Sequence, residues 1–114
     1  MAARADLVSR VLQELYVLSG TETPSTEDDA VVDKAIDEVM AELAERRIAY
    51  WEVTDIPEAV MRGMTLMVAG NCGRKFVPEM TLQECEAMRE LGMRKMREVI
   101  AMQQDHQPVP QLYF

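Results

Sequence analysis

The sequence predicts an all-α fold: a small bundle of about four helices with a short extended connector and an extended C-terminal arm. Three observations predict it. Apolar residues form a helical stripe in three segments, and a fourth segment is apolar nearly all round. Helix-starting and helix-stopping residues fall between those segments. Only one short stretch, "RIAYWEVTD", has the β-branched and aromatic content of an extended piece. A chain of 114 residues, 48% apolar and 28% charged, can build one core but not two ordinary domains. Residues 1–103 are therefore read as the helical domain and 104–114 as the arm.

The first helix follows from Leu7, Val8, Val11, Leu12 and Leu15 and is expected to run to about Leu18. Gly20 suits its C-terminus. Thr23 followed by Pro24 then offers an N-cap and a proline at the first position of a second helix. That helix presents Val32, Ala35, Ile36, Val39, Met40 and Leu43 on one face. Its first turns carry Glu27, Asp28 and Asp29, where the helix dipole favours negative charge, and Arg46 and Arg47 sit at the other end.

The extended connector brings Tyr50 and Trp51 side by side. "TDIPEAV" places an acceptor side chain, Thr54 or Asp55, ahead of the third helix, which is expected to end at Gly70 or Cys72 in the break "NCGRKFVPEM". Between Val60 and Ala69 only Arg62 and Thr65 are polar, so this helix belongs in the middle of a bundle or against a partner. Thr81 and Glu84 form a capping box that opens a fourth helix to about Met102, with a stripe of Leu82, Cys85, Met88, Gly92, Met96, Val99 and Ile100.

Charge and motifs narrow the function classes. The net charge is -8, and residues 1–58 hold 14 acids against 5 bases, whereas residues 59–114 hold 6 against 7. A protein that grips nucleic acid gains affinity from clustered bases on phosphates, and this balance opposes it. No tight DNA binding is expected, and neither is a basic membrane-surface patch. The most apolar run is too short for a membrane span and contains Arg62. The N-terminus lacks an apolar signal-peptide region, which predicts synthesis in the reducing cytoplasm. Cys72 and Cys85 lie in apolar surroundings without CxxC spacing and are read as buried free thiols.

Acids on helix faces read as solvated surface, and the one histidine, His106, lies in the arm. No phosphate-loop, nucleophile-elbow or zinc-helix motif occurs, and Gly70 with Gly73 reads as an ordinary helix stop. The expectation is a non-enzyme with no metal and no cofactor. The 10 methionines are adaptable fillers of a core, or a surface shared with a second copy. Contacts with neighbouring copies are accordingly placed at Tyr50, Trp51, Met61, Met64, Met93 and Met96.

The arm "QPVPQLYF" ends on Leu112, Tyr113 and Phe114 after two prolines that forbid a helix. Burying those three side chains contributes roughly 1.5–3 kcal/mol each, against on the order of 1 kcal/mol per residue for ordering the backbone. One such arm binds weakly, and several presented by a ring bind strongly through effective concentration.

Taken in order, "ETPSTED" between two helices, "LAERRIAYW" at the end of the second, and the "IP" opening a small-residue-rich apolar helix that ends near "GRKF" resemble the head-to-tail adaptor proteins of tailed bacteriophages, also called head-completion or packaged-DNA stabilisation proteins. The resemblance spans roughly residues 6–77. The methionine content and Cys72 in the third helix depart from the family pattern. The resemblance implies a small α-helical structural protein that binds beneath the dodecameric portal protein as an oligomeric ring. Such a ring extends the DNA channel and carries a downstream tail or stopper protein.

The same resemblance makes Pro108, Val109, Pro110, Gln111, Leu112, Tyr113 and Phe114 the portal-docking arm. It places the protein in the virion neck, reached from the host cytoplasm during assembly. An acidic ring would let the duplex pass without holding its phosphates. The alternative class is a small helical DNA-linked regulator, terminase-like or antitoxin-like, for which "EAMRELGMRKMREV" is the one remotely basic helix.

Overall fold

In the computed structural model of the chain the described residues are 4–15, 24–48, 51 and 55–106, with only the helical backbone considered at 103–106. They form four helices and no strand: α1 (Arg4–Glu14), α2 (Thr26–Glu45), α3 (Glu58–Phe76) and α4 (Leu82–His106). The predicted all-α bundle is the fold. The end expected for the first helix at Leu18, most of the extended connector and residues 107–114 of the arm lie outside the described residues, whereas residues 104–106, read as arm, continue α4 past Met102 to His106.

α3 is the centre of the bundle, as its lack of a polar face requires. It packs against each of the other three helices, α1 also touches α2, and the α4 backbone meets α3 alone. Every residue from Val60 to Gly73 is buried except Arg62 and Asn71. The two polar groups buried inside it are satisfied within the helix. The Thr65 hydroxyl donates to the Met61 carbonyl at 2.8 Å and the Cys72 thiol to that of Val68 at 3.2 Å. Leu7, Val8, Val11, Leu12 and Leu15 of the first segment and Val32, Ala35, Ile36, Val39 and Leu43 of α2 close over one side of α3.

Three further boundaries and one stripe residue differ from the sequence expectation. α2 begins not at Thr23–Pro24 but after Ser25, whose side chain accepts the Asp28 amide at 3.2 Å and so satisfies a donor that helix geometry leaves orphaned. α3 starts after Pro57 with no side-chain cap, so Asp55 does not have the role expected of it, and Thr54 lies outside the described residues. The same helix does not stop at Gly70 or Cys72 but runs to Phe76, and Pro78 follows its cap. Leu82 is 66% exposed and leaves the apolar stripe of α4, while Met80 lies against α3 at Gly73. The other half of the expected capping box is present, with the Glu84 amide donating to Thr81 Oγ1 at 3.0 Å.

Glycine explains why α3 continues. α3 and α4 form an antiparallel hairpin whose backbones touch, and side chains are absent where they touch. A Cβ on Gly70 would lie 2.7 Å from the Cys85 carbonyl oxygen, and one on Gly92 would lie 2.6 Å from that of Gly63. These glycines are contact residues, not helix stops.

The "AERRIA" segment ends α2 by a Schellman motif. The Ile48 amide donates to the Leu43 carbonyl at 2.9 Å and the Arg47 amide to that of Ala44 at 3.1 Å. Arg47 sits at φ 59°, the left-handed region that disfavours residues with a Cβ. Arg47→Gly is therefore expected to raise stability by about 1 kcal/mol, readable as a higher urea midpoint with an unchanged slope. A lower midpoint would mean that the Arg47 side chain contributes more than its backbone costs.

Candidate functional site

A large groove lies between the C-terminal end of α2 and the outer half of α4. Its volume is about 700 Å³. The two helices make no backbone contact, so the space between them is floored by α3. Met67 and Met93 line it, Ala101 lies at the α4 end, and Arg46, Arg94 and Arg97 stand on the rim.

One side chain bridges the gap. Arg89 leaves α4 beside Gly70, where the missing Cβ gives its stem room. Its Nη2 donates to both carboxylate oxygens of Glu42 on α2, at 2.6 and 2.7 Å, and its Nη1 donates to Asn71 Oδ1 on α3. Arg89 and Glu42 have side chains 28% and 26% exposed, so water screens the pair only in part. A guanidinium fork that meets a carboxylate and an amide together has little freedom to reorient. Arg89 therefore holds three helices in register at one end of the groove.

Elsewhere the rim is differently balanced. Arg46 lies 3.6 Å from Glu42, whereas Arg94 and Arg97 have no carboxylate partner among the described residues. Both are exposed.

Among the described residues no three His, Cys, Asp or Glu side chains group as they would around a metal ion. Cys72 and Cys85 are buried free thiols, as the sequence predicts. Burial pushes the Cys72 thiol up to about 11 from an ordinary value of 9.0, so at neutral pH it is protonated and a poor nucleophile.

The sign of the linkage is that of an acid with a raised folded-state value. The folded chain keeps a proton that the unfolded chain releases, so stability is full below pH 9 and falls as pH rises toward 11. The loss over that window is on the order of 2 kcal/mol. Cys72→Ala should flatten this part of the urea-midpoint-against-pH curve, and an unchanged slope would assign the alkaline loss to other groups.

Of the residues expected to meet neighbouring copies, Met61, Met64 and Met96 have no exposed surface, and Trp51 and Met93 are 8% and 9% exposed. Within the chain they are core. A second copy would reach them only if the bundle opened. Tyr50 and the arm residues from Pro108 to Phe114 lie outside the described residues.

The sequence reading missed Arg89, Glu42 and Asn71. A signal was present: Arg89 falls four residues after Cys85 and three before Gly92, in register with the apolar stripe. A charge in that register has to find a partner on a facing helix. Comparison with protein-family models, curated proteins and solved structures finds no match to this chain.

Proposed function

We propose that this chain is a non-enzymatic structural protein of the tailed-phage neck. In this reading it assembles beneath the portal as a ring, extends the DNA channel and carries the next tail or stopper protein. The observation that carries the reading is the ordered set of segments over residues 6–77, from "ETPSTED" through "LAERRIAYW" to "IP…GRKF".

The physical roles of those segments are consistent with it. "LAERRI" makes a hydrogen-bonded helix end and turn, and the small residues after "IP" let a second helix pack tightly. The acid excess also fits. α2 exposes Glu27, Asp29, Asp37, Glu38 and Glu45, a surface that repels phosphates and favours passage of a duplex over its capture.

The test mixes the purified chain with a cognate portal ring and images the product by electron microscopy, alongside a chain lacking Val109 to Phe114. New density beneath the portal that depends on those residues is the expected result. No added density on a competent portal overturns the reading, and a DNA mobility shift would then favour the regulator class.

A further inference from the structure

We infer that a second copy of this chain docks on the groove side of α4, with the two α4 helices antiparallel about a two-fold axis at the level of Gly92. The first argument is the order of charges. Glu86 and Glu90 precede Gly92, Arg94 and Arg97 follow it, and all four are exposed along the groove. Glu90 and Arg94 stand two residues to either side of Gly92, and Glu86 and Arg97 stand six and five residues from it. A copy of the helix running the other way about that point therefore sets Glu90 against Arg94 and Glu86 against Arg97, twice over. The residual mismatch in register is about 1.5 Å, well within the reach of these side chains.

The second argument is that the charges share a face with two apolar residues. At about 100° per residue, Leu82, Glu86, Glu90, Arg94, Arg97 and Ile100 fall within about 120° of the helix circumference. Leu82 and Ile100 lie on one edge of that face, ten residues before Gly92 and eight after it. A two-fold axis brings like edges together, so Leu82 of one copy meets Ile100 of the other. Leu82 is 66% exposed and Ile100 half-buried, and the pairing gives both an apolar contact.

The third argument is that this face is not engaged within the chain. Among the described residues the α4 backbone meets α3 alone. None of the four charges enters an ion pair there, although Glu90 and Arg94 are four residues apart. Exposed ion pairs each contribute little, and one helix face is a small interface, so the dimer is weak, with a dissociation constant on the order of 100 μM. The inference does not rest on the adaptor reading. A face that complements its own inverse closes two chains, whereas a ring needs two different faces.

The test is sedimentation equilibrium of the full chain at 0.15 M salt, where a Debye length of about 8 Å screens the net charge of -8 on each chain but not charges in contact. The average mass should rise toward twice that of one chain as the concentration approaches about 1 mM. One variant carries Glu86→Arg and Glu90→Arg, a second carries Arg94→Glu and Arg97→Glu, and circular dichroism checks that both keep their helices. Each alone should stay monomeric, because like charges then face each other. An equimolar mixture should dimerise again, as should a single chain carrying all four substitutions. Both two-site variants remain acidic overall, so pairing in the mixture cannot come from net attraction. Leu82→Ala, present twice in the dimer, should weaken it about tenfold.

A parent chain that stays monomeric overturns the inference. So does a two-site variant that associates as the parent does, which would place the contact on another face. A mixture and a four-site chain that both stay monomeric would show that these charges act only within their own helix, and would overturn it as well. None of these arms contains a portal, so their failure leaves the adaptor test standing.

Discussion

Gly92→Ala is expected to destabilise the protein by about 2 kcal/mol, although the same change at an exposed mid-helix glycine stabilises by about 1 kcal/mol. The sign reverses because the new methyl has nowhere to go. It would lie 2.6 Å from the Gly63 carbonyl oxygen, 2.9 Å from Met67 Cγ and 3.0 Å from the Met67 amide nitrogen. Two of those atoms are backbone, so a rotamer change cannot relieve the contact and α4 must lift from α3. Among the described residues α3 is the only helix whose backbone α4 touches, so apart from the Arg89–Glu42 bridge nothing else ties α4 to the bundle.

Gly92→Leu should cost more still and leave α4 undocked. The reference is Ala87→Gly on the exposed face of α4, which should lose about 1 kcal/mol from helix propensity alone. Urea unfolding followed by far-ultraviolet circular dichroism reads all three. A Gly92→Ala protein more stable than its parent would show that the two helices do not meet backbone to backbone.

Arg89→Ala is expected to cost about 2 kcal/mol. This lies between the near-zero worth of an exposed ion pair and the several kcal/mol lost when a buried one is broken. Three acceptor atoms lose their donor at once, both oxygens of Glu42 and Oδ1 of Asn71. A double-mutant cycle with Glu42→Ala should return a coupling above about 1 kcal/mol, since the partners touch directly. Replacing both residues by methionine should recover most of the loss, because two apolar side chains facing the groove leave no unpaired charge. If Arg89→Ala and Glu42→Ala add without coupling, the bridge between α2 and α4 is not formed in solution.

The elements were legible to different degrees, for physical reasons. α1 and α2 each bury one stripe, and periodicity reported Leu7 to Leu15 and Val32 to Leu43 correctly. Their boundaries were less legible. Ser25 and Thr23 are both good caps, and which one holds a helix amide depends on where the chain arrives. The groove was not legible as a place, since its lining comes from three helices. Yet Arg89 sat in an apolar register and announced that something polar must face it.

From the sequence alone came the all-α class, the number of helices, the two stripes, the Thr81 cap and a third helix apolar nearly all round. All of these follow from local pattern and from which residues water rejects. Only the tertiary structure decided that Gly70 and Gly73 continue a helix instead of ending it, and that Gly63 and Gly92 are where two backbones meet. It alone set Arg89 as the link among three helices and enclosed Met61, Met64 and Met96 within the chain. The reason is common to all of these. A glycine has no side chain to say whether it marks an end or a contact, and an arginine or methionine does not say which helix it will touch. That information lies in the facing element, which enters the local pattern nowhere.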